Sequence, residues 1–306
     1  GFIGSGIVKK LVHQGHKVTV VDNNSRGKKS RLADLKNDLE FISGDVRDEH
    51  VVSEAAKSVD AIIHLAYING TEFFYNKPEI VLDVAVRGML AVLNACKNQN
   101  ISELYLASSS EVYQLPDEIP SSENVPLIIP DVMNPRFSYG GGKIISELMT
   151  INYGRKYLDK VIIFRPHNVY GPDMGFEHVL PQVTLRAINL IKNNQNKIVN
   201  FEIQGDGSET RAFTYIDDFV DGVLCLLKKG KHLNIYHIGN PEEIKIRKAV
   251  NSIFSILGKK PNIISGPLTK GSVPRRCPNI EKIKQIGFNP KINFKKGIPH
   301  LVDWYV

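Results

Sequence analysis

Gly1-Phe2-Ile3-Gly4-Ser5 opens the chain, an amphipathic run follows over residues 7–13, and the β-branched run Lys17-Val18-Thr19-Val20-Val21 ends in Asp22. Glycines, helix, strand and acid in that order describe a dinucleotide-binding unit. There the glycines let backbone approach a pyrophosphate, and a carboxylate at the end of the second strand meets a ribose. Gly1 and Gly4 take the places of the second and third glycines of such a unit, and Asp22 that of the acid. No first strand or first glycine stands before them, so the expectation is an N-terminally truncated chain.

Outward from this start, strand-like and helical runs alternate. Leu39–Ser43 and residues 62–65, 103–108 and 160–165 read as strands, with helical runs between them. Alternation of this kind predicts right-handed crossovers and an α/β fold: a Rossmann-type doubly wound parallel sheet with a smaller C-terminal α/β substrate domain. Residues 1–166 form the first unit, with its first strand missing. Residues 167–306, where no further regular alternation is read, form the second, partly interleaved with the first. Ligands of such sheets sit at the carboxyl ends of the strands. Those ends carry Gly44-Asp45-Val46, His64-Leu65-Ala66, Ser108-Ser109-Ser110-Glu111-Val112-Tyr113 and Arg165-Pro166-His167-Asn168-Val169-Tyr170. His64 reads as a packed histidine rather than a catalyst.

Tyr139-Gly140-Gly141-Gly142-Lys143 opens a helical run over residues 143–157. Tyrosine and lysine four apart share one helix face. The ammonium is expected to favour the phenolate and so bring the tyrosine below its reference pKa of about 10. Three glycines weaken a helix, by roughly 1 kcal/mol each against alanine. Their presence suggests a cofactor lying against the backbone.

The remaining properties bound the function. A chain of 306 residues with 42% hydrophobic and 23% charged residues is an ordinary globular chain. No apolar run approaches the roughly 20 residues of a membrane helix, and no secretory leader is expected. Cys96, Cys225 and Cys277 are scattered and odd in number; they predict reduced thiols, a cytoplasmic location and no metal site. The net charge of +7 suits an anionic ligand, and the basic residues lack the clustering that nucleic acid requires.

Taken in series, GFIGS, Asp22, GDVRD, HLA, SSSEVY, YGGGK and RPHNVYGP resemble the NAD-dependent nucleotide-sugar epimerases and dehydratases of the extended short-chain dehydrogenase/reductase family, essentially end to end. By that resemblance Ser109, Tyr139 and Lys143 are the catalytic set. NAD is expected to contact Gly1, Phe2, Ile3, Gly4, Asp22, Asn23, Asp45, Val46, Leu65 and Ala66 together with Tyr139 and Lys143. Ser110, Asn168, Arg211 and Arg276 are expected to meet the nucleotide sugar, the arginines because a guanidinium can pair two phosphate oxygens at once. The resemblance also implies a homodimer. NAD is expected over NADP because Asp22 would repel a 2′-phosphate and Asn23 and Asn24 add no positive charge; Arg26 is near enough to weaken the argument.

The chemistry so implied is oxidation of the sugar at C4 to a transient 4-keto sugar, with Tyr139 taking the hydroxyl proton and Ser109 steadying the oxygen. A 4-epimerase is the leading expectation. Glu111 opens an alternative, a UDP-glucuronate decarboxylase-like or 4,6-dehydratase reaction, unless it merely accepts a hydrogen bond from a loop backbone. A non-catalytic NAD-binding regulator is the distant third. Gln114, Ala85 and Tyr67-Ile68-Asn69 depart from the family pattern near the expected site. The long Pro- and Ser-rich stretch over residues 114–136 reads as a cleft-edge loop, and residues 244–257 as a packing helix.

Overall fold

Period-two alternation along two neighbouring strands sorts the interior into two cores. Tyr105, Ala107, Ile162 and Phe164 face one apolar cluster, and Leu104, Leu106, Val161 and Ile163 face the other. A sheet buried on both faces reads as such near-continuous apolar runs. Helices therefore cover both sides of it.

The computed structural model describes residues 1–192, 196–267 and 273–306. In chain order the elements are α1 (Phe2–His13), β1 (Val18–Asp22), β2 (Leu39–Ser43), α2 (Glu49–Ala55), β3 (Ala61–His64), α3 (Thr71–Asn76), α4 (Pro78–Asp83), α5 (Met89–Asn98), β4 (Glu103–Ala107), α6 (Ser138–Tyr157), β5 (Lys160–Pro166), β6 (Val169–Tyr170), α7 (Val179–Lys192), β7 (Ile198–Gln204), β8 (Thr210–Ala212), β9 (Thr214–Tyr215), α8 (Ile216–Lys229), β10 (Asn234–Ile238), β11 (Glu243–Lys245), α9 (Ile246–Ile256), β12 (Lys260–Gly266), β13 (Arg275–Arg276), α10 (Glu281–Lys284) and α11 (Phe294–Tyr305). A π-helical turn, Val84–Gly88, joins α4 to α5. Single π turns of this kind are frequent at functional sites.

β1 pairs parallel with β2, and β3, β4, β5 and β10 form a second all-parallel run. This is the Rossmann-like parallel sheet the sequence predicts. α1 packs on α8 over one face, while α2, α5 and α6 pack together over the other. Among the described residues β1 and β3 each have a strand neighbour on one side only. Residues of both line a cleft of ≈ 1840 Å³, which runs along the strands and takes in Asp22, Asp45 and Leu65 at their carboxyl ends.

The expectation that alternation stops at Pro166 is corrected. α8 and β10 add one more crossover, and β10 returns to pair with β5 from Asn234↔Ile162 to Ile238↔Pro166. The run Asn-Ile-Tyr-His-Ile hid this strand, because a buried histidine breaks the apolar pattern. His237 tolerates burial through a hydrogen bond with the Tyr113 hydroxyl at 2.6 Å and contact of its Nδ1 with the Asn279 carbonyl at 2.9 Å. α9 starts after β11, so residues 244 and 245 of the expected packing helix belong to a strand instead.

The C-terminal half contributes small sheets, among them β11-β8-β13. β13 runs parallel to β8 with Arg276 opposite Arg211, so sheet register alone sets these two guanidinium groups side by side. The three cysteines are free, with Cys96 and Cys277 buried. Among the described residues no helix is long and apolar enough to cross a membrane, and no group of three or more His, Cys, Asp or Glu is placed to hold a metal ion.

Candidate active site

α6 begins at Ser138, so Tyr139 and Lys143 lie one turn apart inside the helix, beside the carboxyl end of β4. The Tyr139 ring is buried between Phe74, stacked with centroids 5.0 Å apart, and Tyr67, which meets it edge-on at 5.2 Å. Ser109 hydrogen-bonds the Tyr139 side chain. Its Oγ also accepts from the Glu111 backbone N–H at 3.1 Å, which caps the short turn over residues 110–112. The structure thus brings Ser109, Tyr139 and Lys143 together.

Their electrostatics correct the expectation from spacing. Burial pushes the Tyr139 phenol up to about 12, with the Ser109 hydrogen bond acting the other way. Lys143 does not draw it down, because its Nζ donates to the Ala107 carbonyl at 2.6 Å and rests 3.7 Å from the centre of the Tyr67 ring. Burial in turn brings Lys143 down to about 7. Sharing a helix face did not guarantee that the two polar ends would meet.

The glycines are explained differently from the expectation. A Cβ on Gly140 would meet the Gln114 amide nitrogen at 2.6 Å and the Glu111 carbonyl at 3.0 Å, and one on Gly142 would collide with the Tyr67 hydroxyl and approach Ala85 to 2.8 Å. Both positions accommodate the protein's own side chains and backbone. Gly141 faces only Ile129, at 3.4 Å.

Glu111 does not rest on a loop backbone. Its Oε1 accepts from Arg276 Nη1 at 2.5 Å. Burial raises this carboxyl, but Arg276, then Arg136 and Arg211, outweigh burial and hold it below the ordinary carboxylate range. Arg211, with burial as the main cause and Arg276 as the next, is brought down to about 10. Three guanidinium groups therefore surround one carboxylate. Asn168, at φ 37°, donates its amide to the Ala212 carbonyl at 3.1 Å, and so lies beside the Arg211 strand. Ser110 is buried next to Glu111, while Arg275 turns outward to pair with Glu243 at 2.6 Å. Arg136 was missed in the sequence reading, although it stands one turn before Tyr139. Its Nε is buried and has no hydrogen-bond partner among the described residues.

Gly1, Phe2, Ile3, Gly4, Asp22, Asn23, Asp45, Val46, Leu65 and Ala66 all line the large cleft. α1 starts there without a side-chain cap and without an acid in its first turn. An uncapped helix start presents free N–H groups and the positive end of its dipole to an anion. A Cβ on Gly4 would stand 3.5 Å from Leu65, the close helix-to-strand contact that a third glycine serves. Asp22 accepts from the Asn24 N–H at 2.7 Å. Asp45 is gripped by Arg47 at 2.8 Å and joined to Asn23 at 3.2 Å, and the arginine holds it far below the carboxylate range. Arg26 turns away to Glu177 at 3.0 Å, and Arg31 pairs with Asp173 at 2.6 Å. His64 is buried and held down to about 3, first by burial and then by Lys143, so it is neutral at physiological pH.

A parallel sheet with an uncapped helix start at its edge, and Ser109, Tyr139 and Lys143 gathered at its carboxyl end, suit a dinucleotide-binding fold of the Rossmann type. Comparison makes this specific: residues 1–239 match the NAD dependent epimerase/dehydratase family, and the chain belongs to it. It is 28% identical over 315 residues to the UDP-N-acetyl-alpha-D-glucosaminuronate decarboxylase of Bacillus cytotoxicus, covering 100% of this chain and 95% of that protein. It is 29% identical over 306 residues to the putative UDP-glucose 4-epimerase of Methanocaldococcus jannaschii, covering 99% and 95%. Among solved structures, a dTDP-glucose 4,6-dehydratase double mutant from Streptomyces venezuelae with NAD bound superposes with a TM-score of 0.87 at 27% identity, covering 100% of this chain and 94% of that one. The chain is accordingly an enzyme that uses NAD, and the uncapped start of α1 and the acid at the end of β1 suit that cofactor.

Proposed function

We propose that the enzyme oxidises C4 of a nucleotide-linked uronic acid and releases carbon dioxide from C5. The observation that carries this reading is the pairing of Glu111 with Arg276 beside Ser109 and Tyr139, with Ser110 as its neighbour. An ionised carboxylate held in a reacting site has work at C5 that a plain 4-epimerase does not require. Dehydration needs a proton donor for the leaving hydroxide, and Ser110 is a poor acid. Carbon dioxide leaves a β-keto acid without one. The similarity to a uronate decarboxylase supports the same choice.

The N-terminus of α1, Asp22, Asp45, Val46, Leu65 and Ala66 would hold NAD, which would supply the hydride acceptor. Tyr139 removes the proton from the C4 hydroxyl, and Ser109 donates a hydrogen bond to the oxygen. Arg211, Arg136 and Asn168 receive the diphosphate, and Glu111 with Arg276 frames the C5 substituent.

A 4-epimerase is the second reading. Arg276 is already satisfied by Glu111, which leaves Arg211 and Arg136 to match a diphosphate on a neutral sugar. Mass spectrometry of products from a panel of UDP-, dTDP-, GDP- and CDP-sugars, UDP-glucuronate included, separates the readings. Loss of carbon dioxide supports the first, an isomer of unchanged mass the second, and loss of water overturns both.

A homodimer is part of the proposal. Ile145 and Leu148 on α6 and Leu82 on α4 are exposed large hydrophobics, and α4 packs against α6. Leu148, 57% exposed, is replaceable without disturbing the core. Leu148→Glu should convert a dimer to a monomer in sedimentation equilibrium while leaving the far-UV circular dichroism unchanged; a parent that sediments as a monomer rules the dimer out.

A further inference from the structure

Two departures from the family pattern that lie far apart in sequence, Tyr67 and Ala85, meet at one point against Gly142. Tyr67 follows β3, Ala85 sits in the π-helical turn, and Gly142 is on α6. The Tyr67 hydroxyl reaches the Gly142 backbone, where any side chain would exclude it, and among the described residues it has no hydrogen-bond partner. A buried hydroxyl left unbonded is costly, about 1–3 kcal/mol. The ring must therefore be retained there for its face. That face lies 3.7 Å from Lys143 Nζ, whereas the Tyr139 ring centre is 5.9 Å away.

We propose that Tyr67 is a positioning residue for the catalytic lysine: its ring face holds the Lys143 ammonium beneath Tyr139, in a space that Gly142 and Ala85 leave open. An ammonium over the face of an aromatic ring is attracted by the ring quadrupole, most strongly away from water. Burial works against the charge on Lys143, drawing it down to about 7. The other groups facing it are Glu147 and Tyr139 on α6, His64 at the end of β3 and the Ala107 carbonyl on β4. Of these only Glu147 is an anion whose charge favours the ammonium, since His64 is neutral and the Tyr139 phenol is protonated. The ring face then decides up to what pH Lys143 stays charged. This inference does not depend on whether the enzyme decarboxylates or epimerises.

Tyr67→Leu keeps apolar bulk and removes the ring; Tyr67→Phe keeps the ring and removes the unbonded hydroxyl. The alkaline limb of kcat/KM should move down by about one pH unit in the leucine variant and stay in place in the phenylalanine variant. A second readout needs no turnover. A lysine whose folded pKa is lowered gives stability that rises with pH from the folded toward the unfolded value. The Tm difference between each protein and its Lys143→Met derivative should therefore begin to change at lower pH for Tyr67→Leu, and at the parent pH for Tyr67→Phe. A leucine variant that matches the parent in both curves, an upward shift in it, or a phenylalanine variant that shifts as far as leucine would each overturn the assignment.

Discussion

Tyr139→Phe should lower kcat by about 10²–10⁴-fold, the range that one positioned proton-transfer group supplies, while NAD binds as before. The phenol is pushed up to about 12 by burial, and in the protein alone it is a closed acid rather than an open base. Catalysis near neutral pH then depends on positive charge beside the ring, which an oxidised nicotinamide would add to that of the Lys143 ammonium 5.9 Å from the ring centre. The ring keeps its stacking on Phe74 in the variant, and the bond to Ser109 is lost. Loss of a single hydrogen bond typically costs about 1 kcal/mol, so the variant should unfold only slightly below the parent. Stopped-flow measurement of NADH formation isolates the step. A variant that retains a tenth of the parental hydride-transfer rate would remove Tyr139 from the role of base.

The parallel sheet and the ordering of the site were legible because each left a local mark. Apolar and β-branched runs pointed to the strands, and non-random residues at their carboxyl ends pointed to Asp22, Asp45, Ser109, Glu111 and Asn168 as candidates. What was not legible depends on contacts between distant segments. The pairing of Arg276 with Arg211 comes from strand register in a small sheet whose strands are two and three residues long. β10 was hidden by His237, whose burial is made tolerable by Tyr113 from another strand end. The direction in which Lys143 points is set by Tyr67 and Ala107, not by its spacing from Tyr139. Gly140 and Gly142 were noticed for the right physical reason, the absence of side chains, but what occupies the space is only visible once Gln114, Glu111, Tyr67 and Ala85 are folded against them.

Glu111→Gln tests where the two catalytic outcomes divide. The carboxylate is held ionised by Arg276, Arg136 and Arg211 against the opposing effect of burial. A glutamine keeps the shape and still accepts from Arg276, so the arginine stays in place while the charge is removed. Oxidation at C4 relies on Ser109, Tyr139 and NAD and should proceed. Carbon dioxide loss from C5 should slow by about 10²-fold, what removal of one preorganised electrostatic group typically costs. The reaction should then stall with the sugar oxidised, and NADH absorbance should build up where the parent shows almost none. The pH dependence carries a matching sign. A carboxyl whose folded pKa is depressed adds stability above the unfolded pKa and loses it as pH falls through the folded value. The parent should therefore lose stability on acidification below the ordinary glutamate range more steeply than Glu111→Gln. Undiminished turnover with no NADH accumulation would make Glu111 a tether for Arg276 alone, and the 4-epimerase reading would then take precedence. Loss of NADH formation as complete as in Tyr139→Phe would instead place Glu111 in the oxidation step, and the division of labour argued from Ser110 would fall with it.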